Sequence, residues 1–282
     1  MRAQFDYFRT RSIFEAFSLL EQGAVPYQGG TDLLVQLRSG KREAELLADL
    51  SDLQGLKGIA MSEGMLSVGA ACKAVEIAAD PLVTRWAPGL AQSAAALGSP
   101  PIRNKATIGG NIATASPAGD MLTACWALEA VLLLVTRSGE RRLPLDEFIQ
   151  GPGRQTLQPA EMIARIEIPL VPWKHQHFFK VGRRNAMSVS VVNGLCAFQT
   201  ADDGTVSQAR IGLGAVGPTP LRIRDAEAYI TGKRPGGVDK EHLMQLVRAG
   251  VQPISDIRAS AEYRRYIAGV MVKRELEALE EN

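Results

Sequence analysis

Residues 98–120 are the segment that most restricts the fold of this chain. They are rich in Gly, Pro, Ser, Thr and Asn and poor in large apolar residues, unlike the sequence on either side. At their centre stands Thr107-Ile108-Gly109-Gly110-Asn111-Ile112, and Asp120 closes the segment. The glycines, the hydroxyl and the amide fit the surroundings of a pyrophosphate, and Asp120 fits an acceptor for ribose hydroxyls or an adenine amine. The P-loop pattern GxxxxGK[ST] is missing, which excludes that signature.

A second glycine pair stands at Gln28-Gly29-Gly30-Thr31-Asp32, between a predicted strand and a predicted helix. Paired glycines allow successive backbone N–H groups to face one concavity that binds phosphate oxygens. Thr31 adds a hydroxyl, and the following helix adds its dipole. Taken alone, this segment is equally compatible with a plain turn. Two such turns together suit a dinucleotide with an existing diphosphate better than a transferable γ-phosphate.

A third glycine segment, Ile211-Gly212-Leu213-Gly214-Ala215-Val216-Gly217, satisfies GxGxxG. A dinucleotide-binding turn needs a helix that opens inside the motif. Pro218 and Pro220 follow at once and obstruct such a helix. We therefore predict that this segment is a strand end that packs closely against its neighbours.

The composition excludes several classes of protein. Thirty-two basic and 30 acidic residues give a net charge of +2. This charge is too small to indicate that the chain binds nucleic acid. Three isolated cysteines cannot form an all-cysteine iron–sulfur or zinc site, and they favour a reducing, cytoplasmic setting. His175, His177 and His242 do not form a metal set. No signal peptide is predicted in residues 1–10, and the apolar run 130–135 is too short to span a membrane.

The predicted elements divide the chain near Pro172. We expect a mixed α/β domain over residues 1–172, with lobes of about 1–55 and 56–172, and a strand–strand–helix domain over 173–282. The helix predictions include a capped helix over 12–23 and a helix over 82–97 that Pro88 breaks in two.

Five segments together resemble the FAD-binding medium subunit of molybdenum hydroxylases, the xanthine dehydrogenase and carbon monoxide dehydrogenase family. They are GGTDLL at 29–34, IRNKATIGGNIATASPAGD at 102–120, LPLDEFIQGPGRQTLQPAEMIARIEIP at 143–169, RRNAMSVSVVN at 183–193 and IGLGAVGPTPLR at 211–222. The resemblance covers nearly the whole chain in order. It implies an α+β fold: a two-lobed, vanillyl-alcohol-oxidase-like (PCMH-type) FAD domain, then a small domain with a three-stranded sheet packed on helices.

The resemblance also implies the residues that bind the cofactor. One side of the FAD diphosphate would be wrapped by Pro26, Tyr27, Gln28, Gly29, Gly30, Thr31, Asp32 and Leu33. The opposite side would be lined by Ala106, Thr107, Gly110, Asn111 and Ile112. Further contacts would come from Asp120 at a ribose or nearby polar edge, from Ile163 and Ala164 beside the cofactor, and from Lys180 near the flavin.

Several positions keep a second interpretation. Asp120 is also a candidate cap of the helix at Met121, and Lys180 a candidate solvated lysine. Leu97 stands where relatives place an aromatic residue against the adenine. Met187 and Ser188 replace acidic or tyrosine residues that approach the isoalloxazine in relatives.

The implied function is electron transfer. No catalytic base and no metal site are expected in this chain. It would carry non-covalent FAD, accept electrons from the two [2Fe–2S] clusters of a small subunit, and pass them to NAD+ or another acceptor. A large subunit would hold the molybdenum cofactor, in a heterotrimer whose dimerisation is left open. The alternatives are a stand-alone flavin reductase, similar to the UDP-N-acetylenolpyruvoylglucosamine reductase type, and a FAD-holding assembly module.

Overall fold

A computed structural model describes residues 4–184 and 187–281. Residues 1–3 therefore lie outside the described part. They belong to the segment 1–10, in which no signal peptide is predicted. Asn185 and Ala186 of RRNAMSVSVVN, and the last residue of the chain, also lie outside the described part.

The first sheet is parallel, with the strand order β1-β3-β2. Its strands and helices are β1 (Asp6–Arg9), α1 (Ile13–Glu21), β2 (Val25–Tyr27), α2 (Leu33–Arg38) and β3 (Leu46–Asp49). The predicted cap of α1 is confirmed, because the Ser12 hydroxyl accepts a hydrogen bond from the Glu15 N–H at 3.2 Å. The turn after β2 carries Gly29 and Gly30, so this glycine pair lies at the edge of the sheet.

The second sheet is antiparallel, with the order β4-β5-β10-β6-β7. Its strands are β4 (Ile59–Ser62), β5 (Met65–Gly69), β6 (Val131–Thr136), β7 (Gly139–Pro144) and β10 (Met162–Pro169), and β8 (Ile149–Gly151) with β9 (Arg154–Gln155) forms a separate hairpin. Its helices are α3 (Ala74–Ala79), α4 (Pro81–Trp86), α5 (Pro88–Ala95), α6 (Pro100–Arg103), α7 (Ile108–Ala113), α8 (Asp120–Ala127) and α9 (Leu145–Phe148). The predicted break at Pro88 is confirmed, because α4 ends at Trp86 and α5 begins at Pro88.

The third sheet has the order β11-β12-β13-β14 and is antiparallel. Its elements are β11 (His175–Val181), β12 (Val192–Thr200), β13 (Val206–Gly214), β14 (Leu221–Arg222), α10 (Arg224–Ile230), α11 (Lys240–Ala249) and α12 (Ala261–Glu280). The mixed fold of sheets and helices is confirmed. The expected three strands are present, and the sheet gains β14 as a fourth strand of two residues.

Contacts between α8 and the third sheet place the site. Gly212 of β13 lies against α8, since a Cβ at this glycine would stand 2.4 Å from the Ala127 Cβ. A Cβ at Gly214 would meet Asn193 Oδ1 and Thr123 Oγ1, each at 2.1 Å. The glycines of the GxGxxG segment thus allow close packing of a strand on a helix, as predicted.

Candidate functional site

A cleft of about 760 Å³ lies where the three sheets meet. Its walls come from the loop after β2, the segment 97–120, the start of β10, Lys180 of β11 and residues 187–190. Sixteen of the predicted residues line it, namely Pro26, Tyr27, Gln28, Gly29, Gly30, Thr31, Asp32, Leu33, Leu97, Ala106, Thr107, Gly110, Asn111, Asp120, Ile163 and Lys180. Ile112 and Ala164 do not line the cleft and belong to the hydrophobic core.

The two glycine pairs meet directly. A Cβ on Gly29 would stand 2.2 Å from the carbonyl oxygen of Lys105, so the backbones of the two segments touch where Gly29 has no side chain. Gly30 has φ +66°, a conformation that favours glycine, and its α-carbon faces the Tyr27 ring. Asp32 joins the segments a second time, because its carboxylate accepts a hydrogen bond from Thr114 Oγ1 at 3.1 Å. Residues 76 and 82 positions apart thereby form one wall.

Free hydrogen-bond donors are concentrated in the first of these segments. Gly29 and Thr31 make no hydrogen bond to the part of the chain that the structure describes, although both line the cleft. By contrast, the N–H groups that open α7 are occupied. Ile108 donates to the Cys72 carbonyl at 3.1 Å, Gly109 donates to the Ala70 carbonyl at 2.9 Å, and Gly110 donates to Thr107 Oγ1 at 3.2 Å. Of these two segments, the loop after β2 therefore provides the N–H donors that could bind an anionic group in the cleft.

Asp120 and Lys180 form a buried ion pair at the cleft wall. Their side chains are 4% and 15% exposed, and Lys180 Nζ donates to Asp120 Oδ2. The other carboxylate oxygen accepts from Ser190 Oγ and from Asn193 Nδ2, both at 2.8 Å. Asp120 is also the first residue of α8, where a carboxylate interacts favourably with the helix dipole. Lys180 is thus a paired cation and not a solvated one.

Leu97 lines the cleft beside a contact of Lys180. Lys180 Nζ donates at 3.1 Å to the carbonyl oxygen of Ala96, which directly precedes Leu97 in the chain. Met187 and Ser188 also line the cleft, and Met187 is 58% exposed. The residue expected beside the adenine therefore follows directly on a residue that Lys180 contacts.

The cleft includes polar residues that the sequence analysis did not name, among them Gln36, Arg42, Ser99, Thr114, Ser116, Gln155 and Gln158. The three between 98 and 120 belong to a segment whose composition already set it apart. Arg42, on the loop after α2, carries no comparable local signal, because only the fold brings that loop to the cleft.

His175 and His177 lie on β11. His175 Nε2 and His177 Nδ1 stand 3.0 and 2.9 Å from the carboxylate oxygens of Glu275 on α12. Among the described residues, no group of three or more His, Cys, Asp or Glu side chains is placed to hold a metal ion. Burial raises the pKa of the Cys125 thiol to about 12, which keeps it protonated.

Arg183 and Arg184 do not line the cleft. They donate instead to the carbonyl oxygens of Ile257 and Met187. No helix among the described residues is long and apolar enough to cross a membrane.

Comparisons with known proteins agree with this architecture. Residues 3–171 match the family described as the FAD binding domain in molybdopterin dehydrogenase, and residues 177–279 match the CO dehydrogenase flavoprotein C-terminal domain. The chain belongs to the family of FAD-binding medium subunits of molybdenum hydroxylases, so it is an oxidoreductase subunit whose cofactor is FAD.

Individual relatives span nearly the whole chain. The putative xanthine dehydrogenase FAD-binding subunit of Escherichia coli (strain K12) is 32% identical, over 95% of this chain and 93% of its own length. The carbon monoxide dehydrogenase medium chain of Hydrogenophaga pseudoflava is 30% identical, over 98% and 96%. A crystal structure of the cyanide-inactivated Cu,Mo-CO dehydrogenase superposes with a TM-score of 0.93 at 28% identity, covering 100% of this chain and 99% of that one.

The residues present fit FAD. The cleft volume lies within the roughly 300–1,000 Å³ of typical ligand sites. Gly29 and Gly30 allow the Lys105 backbone and the Tyr27 ring to approach closely, and the free N–H groups of Gly29 and Thr31 suit diphosphate oxygens. When bound, FAD supplies the site with an acceptor and donor of electrons.

Proposed function

We propose that this chain is the electron-transfer subunit of a molybdenum hydroxylase. It holds FAD without a covalent bond and passes electrons from the iron–sulfur clusters of a partner subunit to NAD+ or another acceptor. The cleft carries this proposal, because unpaired N–H donors at Gly29 and Thr31 share it with the Asp120–Lys180 pair. The chain's own residues bind and orient the cofactor and hold one ammonium at its side.

The contacts of Lys180 support one direction for the cofactor in this proposal. Lys180 Nζ donates to the carbonyl oxygen of Ala96, the residue before Leu97, whereas adenine and isoalloxazine occupy opposite ends of an extended FAD. We therefore propose that Leu97 lies at the flavin end with Lys180, Met187 and Ser188, in place of the position against the adenine that the resemblance implies.

The remaining site residues keep their proposed roles. Pro26 to Leu33 wrap the diphosphate on one side, and Ala106, Thr107, Gly110 and Asn111 line the other. Ile163 flanks the cofactor. Ile112 and Ala164 are both buried in the core. Their burial supports a structural role beneath the cleft and no direct contact with the cofactor.

The partners follow from what this chain lacks. Two [2Fe–2S] clusters need about eight ligands, usually cysteine thiolates. The sequence contains three cysteines, and all three are buried free thiols. We propose a small iron–sulfur subunit and a large molybdopterin subunit in a heterotrimer, working in the cytoplasm. The division of the chain near Pro172, with lobes meeting near residue 55, is part of the same proposal.

The relatives do not favour a stand-alone flavin reductase. They are named as subunits or chains of dehydrogenases, and the resemblance extends through the C-terminal domain. A reductase of that type would also need a proton donor beside the flavin, whereas the Ser190 hydroxyl in this region donates to Asp120.

The variant Gly110→Val tests the placement of the diphosphate. Gly110 lines the cleft, and the neighbour that a Cβ there would meet is Thr107 Oγ1 at 3.0 Å, so a side chain requires a small shift of that hydroxyl. We expect FAD affinity to fall by at least about tenfold, equivalent to roughly 1.4 kcal/mol. Asn111→Ala should also weaken binding, since Asn111 lines the cleft and its Oδ1 holds the Leu122 N–H of α8 at 2.9 Å. Fluorescence titration of the apoprotein with FAD measures both.

The matched control is Gly237→Val, at an exposed glycine with open space around its Cβ position. It should bind FAD as the parent chain does. Full FAD affinity in both cleft variants would show that the site lies elsewhere, and a parent chain that binds no FAD would contradict the proposed function itself.

A further inference from the structure

The two carboxylate oxygens of Asp120 accept hydrogen bonds from different groups. Oδ2 faces the Lys180 ammonium, while Oδ1 accepts from Ser190 Oγ and Asn193 Nδ2 at 2.8 Å each. The residue is 3% exposed, so its hydrogen-bond partners are protein groups. The direction of the carboxylate is therefore set by Ser190 and Asn193 from one side.

Asn193 is itself fixed in orientation. It is fully buried, and its Oδ1 accepts a hydrogen bond from Thr123 Oγ1 at 3.1 Å. Because the carbonyl oxygen is occupied by Thr123, the NH2 group must face Asp120. Gly214 provides the space for this arrangement. Ser190 and Asn193 both belong to the segment 183–193, of which Met187 and Ser188 also line the cleft.

Lys180 retains one unused donor. An ammonium has three N–H groups. Two of them are taken by Asp120 and by the Ala96 carbonyl, and no other acceptor lies within reach among residues 4–184 and 187–281. Since Lys180 lines the cleft, the third N–H is available to an acceptor on a bound ligand.

We propose that Ser190 and Asn193 are positioning residues that act on the cofactor through Asp120 and Lys180. By holding the carboxylate, they hold the ammonium at the flavin end of the cleft, where its third N–H donates to FAD. A cation in this place favours the reduced, anionic flavin over the oxidised one. The inference rests on the proposed function and on the flavin end assigned above.

The ratio of two dissociation constants tests the proposal. For the full chain, Kd is measured anaerobically for reduced FAD and, separately, for oxidised FAD. In Ser190→Ala and in Asn193→Ala, we expect Kd(reduced)/Kd(oxidised) to rise by about threefold to tenfold. Because the ratio is linked to the potential, a tenfold rise corresponds to a bound-flavin potential about 30 mV lower for a two-electron couple. The matched control is Ser93→Ala, which removes an equally buried hydroxyl bonded only to the Leu90 carbonyl.

A double-mutant cycle shows whether the effect passes through the ion pair. In the neutral background Asp120→Asn/Lys180→Met, the substitution Ser190→Ala should leave the ratio unchanged. An unchanged ratio in the parent background, or an equal rise in both backgrounds, overturns the proposal. If Asn193→Ala does not fold, Ser190→Ala alone decides, because it removes a single hydroxyl. A parent chain that binds neither form of FAD would instead contradict the proposed function.

Discussion

At the scale of single residues, Gly214 decides whether the buried polar cluster can form. Its α-carbon faces Asn193 Oδ1 and Thr123 Oγ1 so closely that a methyl group would stand 2.1 Å from each. Gly214→Ala must therefore displace both side chains, and overpacking of this kind typically costs about 1–3 kcal/mol. We expect a loss of that size in the free energy of unfolding, measured by urea denaturation. Gly139→Ala, at a position with open space, should leave stability nearly unchanged.

The sequence predicted the close packing at Gly214 but not the residues against which it packs. The prolines after GxGxxG were enough to reject a nucleotide-binding turn and to predict close packing. The neighbours of Gly214 lie 21 and 91 positions away in the chain, and no local pattern names them. The same holds for Asp120, whose polarity marked it as a ligand or a cap, while its pairing with Lys180 depends on the seating of β11 beside α8.

At the scale of elements, α12 is tied to β11 by Glu275. Burial opposes ionisation of this carboxyl, but the hydrogen bonds from His175 and His177 outweigh it and lower its pKa. The hydrogen bond to Glu275 raises the pKa of His177 above the ordinary 6.5. The His177 contribution to stability is complete below about pH 6.5 and is lost as pH rises through its raised pKa. The Glu275 contribution is present above about pH 4.5 and is lost as pH falls through its lowered pKa.

The contact between α12 and β11 is therefore strongest between about pH 4.5 and 6.5. We expect the melting temperature of His177→Ala to fall below that of the parent chain by more at about pH 6 than at about pH 8. Differential scanning calorimetry at the two pH values measures this gap. A gap that is the same at both values would show that the ion pair does not contribute. Glu275→Gln should flatten the difference, because it removes the charge and preserves the shape.

Elements were predicted best where their signals were local. Ser12 marked the start of α1 and Pro88 separated α4 from α5, as the structure shows. β11 begins at His175. Its histidines face Glu275 across a hundred residues, which a local reading cannot detect.

At the scale of the whole molecule, the cleft needs both parts of the chain. The glycine segments line one part of it, and Lys180 and residues 187–190 line another. Free FAD at about 100 times its Kd should stabilise the chain by about 2.7 kcal/mol. Hydrogen exchange should slow on FAD binding both in residues 28–33 and in residues 187–193. Protection confined to residues before 172 would contradict a cleft shared by both parts.

The shared cleft also has a consequence for folding of the chain during its synthesis. A ribosome releases the chain from its N-terminus, and domains form as they emerge. The segment carrying Gly29 and the segment carrying Lys105 can join early, but Lys180, Ser190 and Asn193 follow only after a further 75 to 88 residues. With the diphosphate and the flavin ring placed as proposed, a nascent chain has a place for the diphosphate before it has one for the flavin ring. We therefore expect cofactor loading to be a late step in synthesis and truncated products to lose FAD.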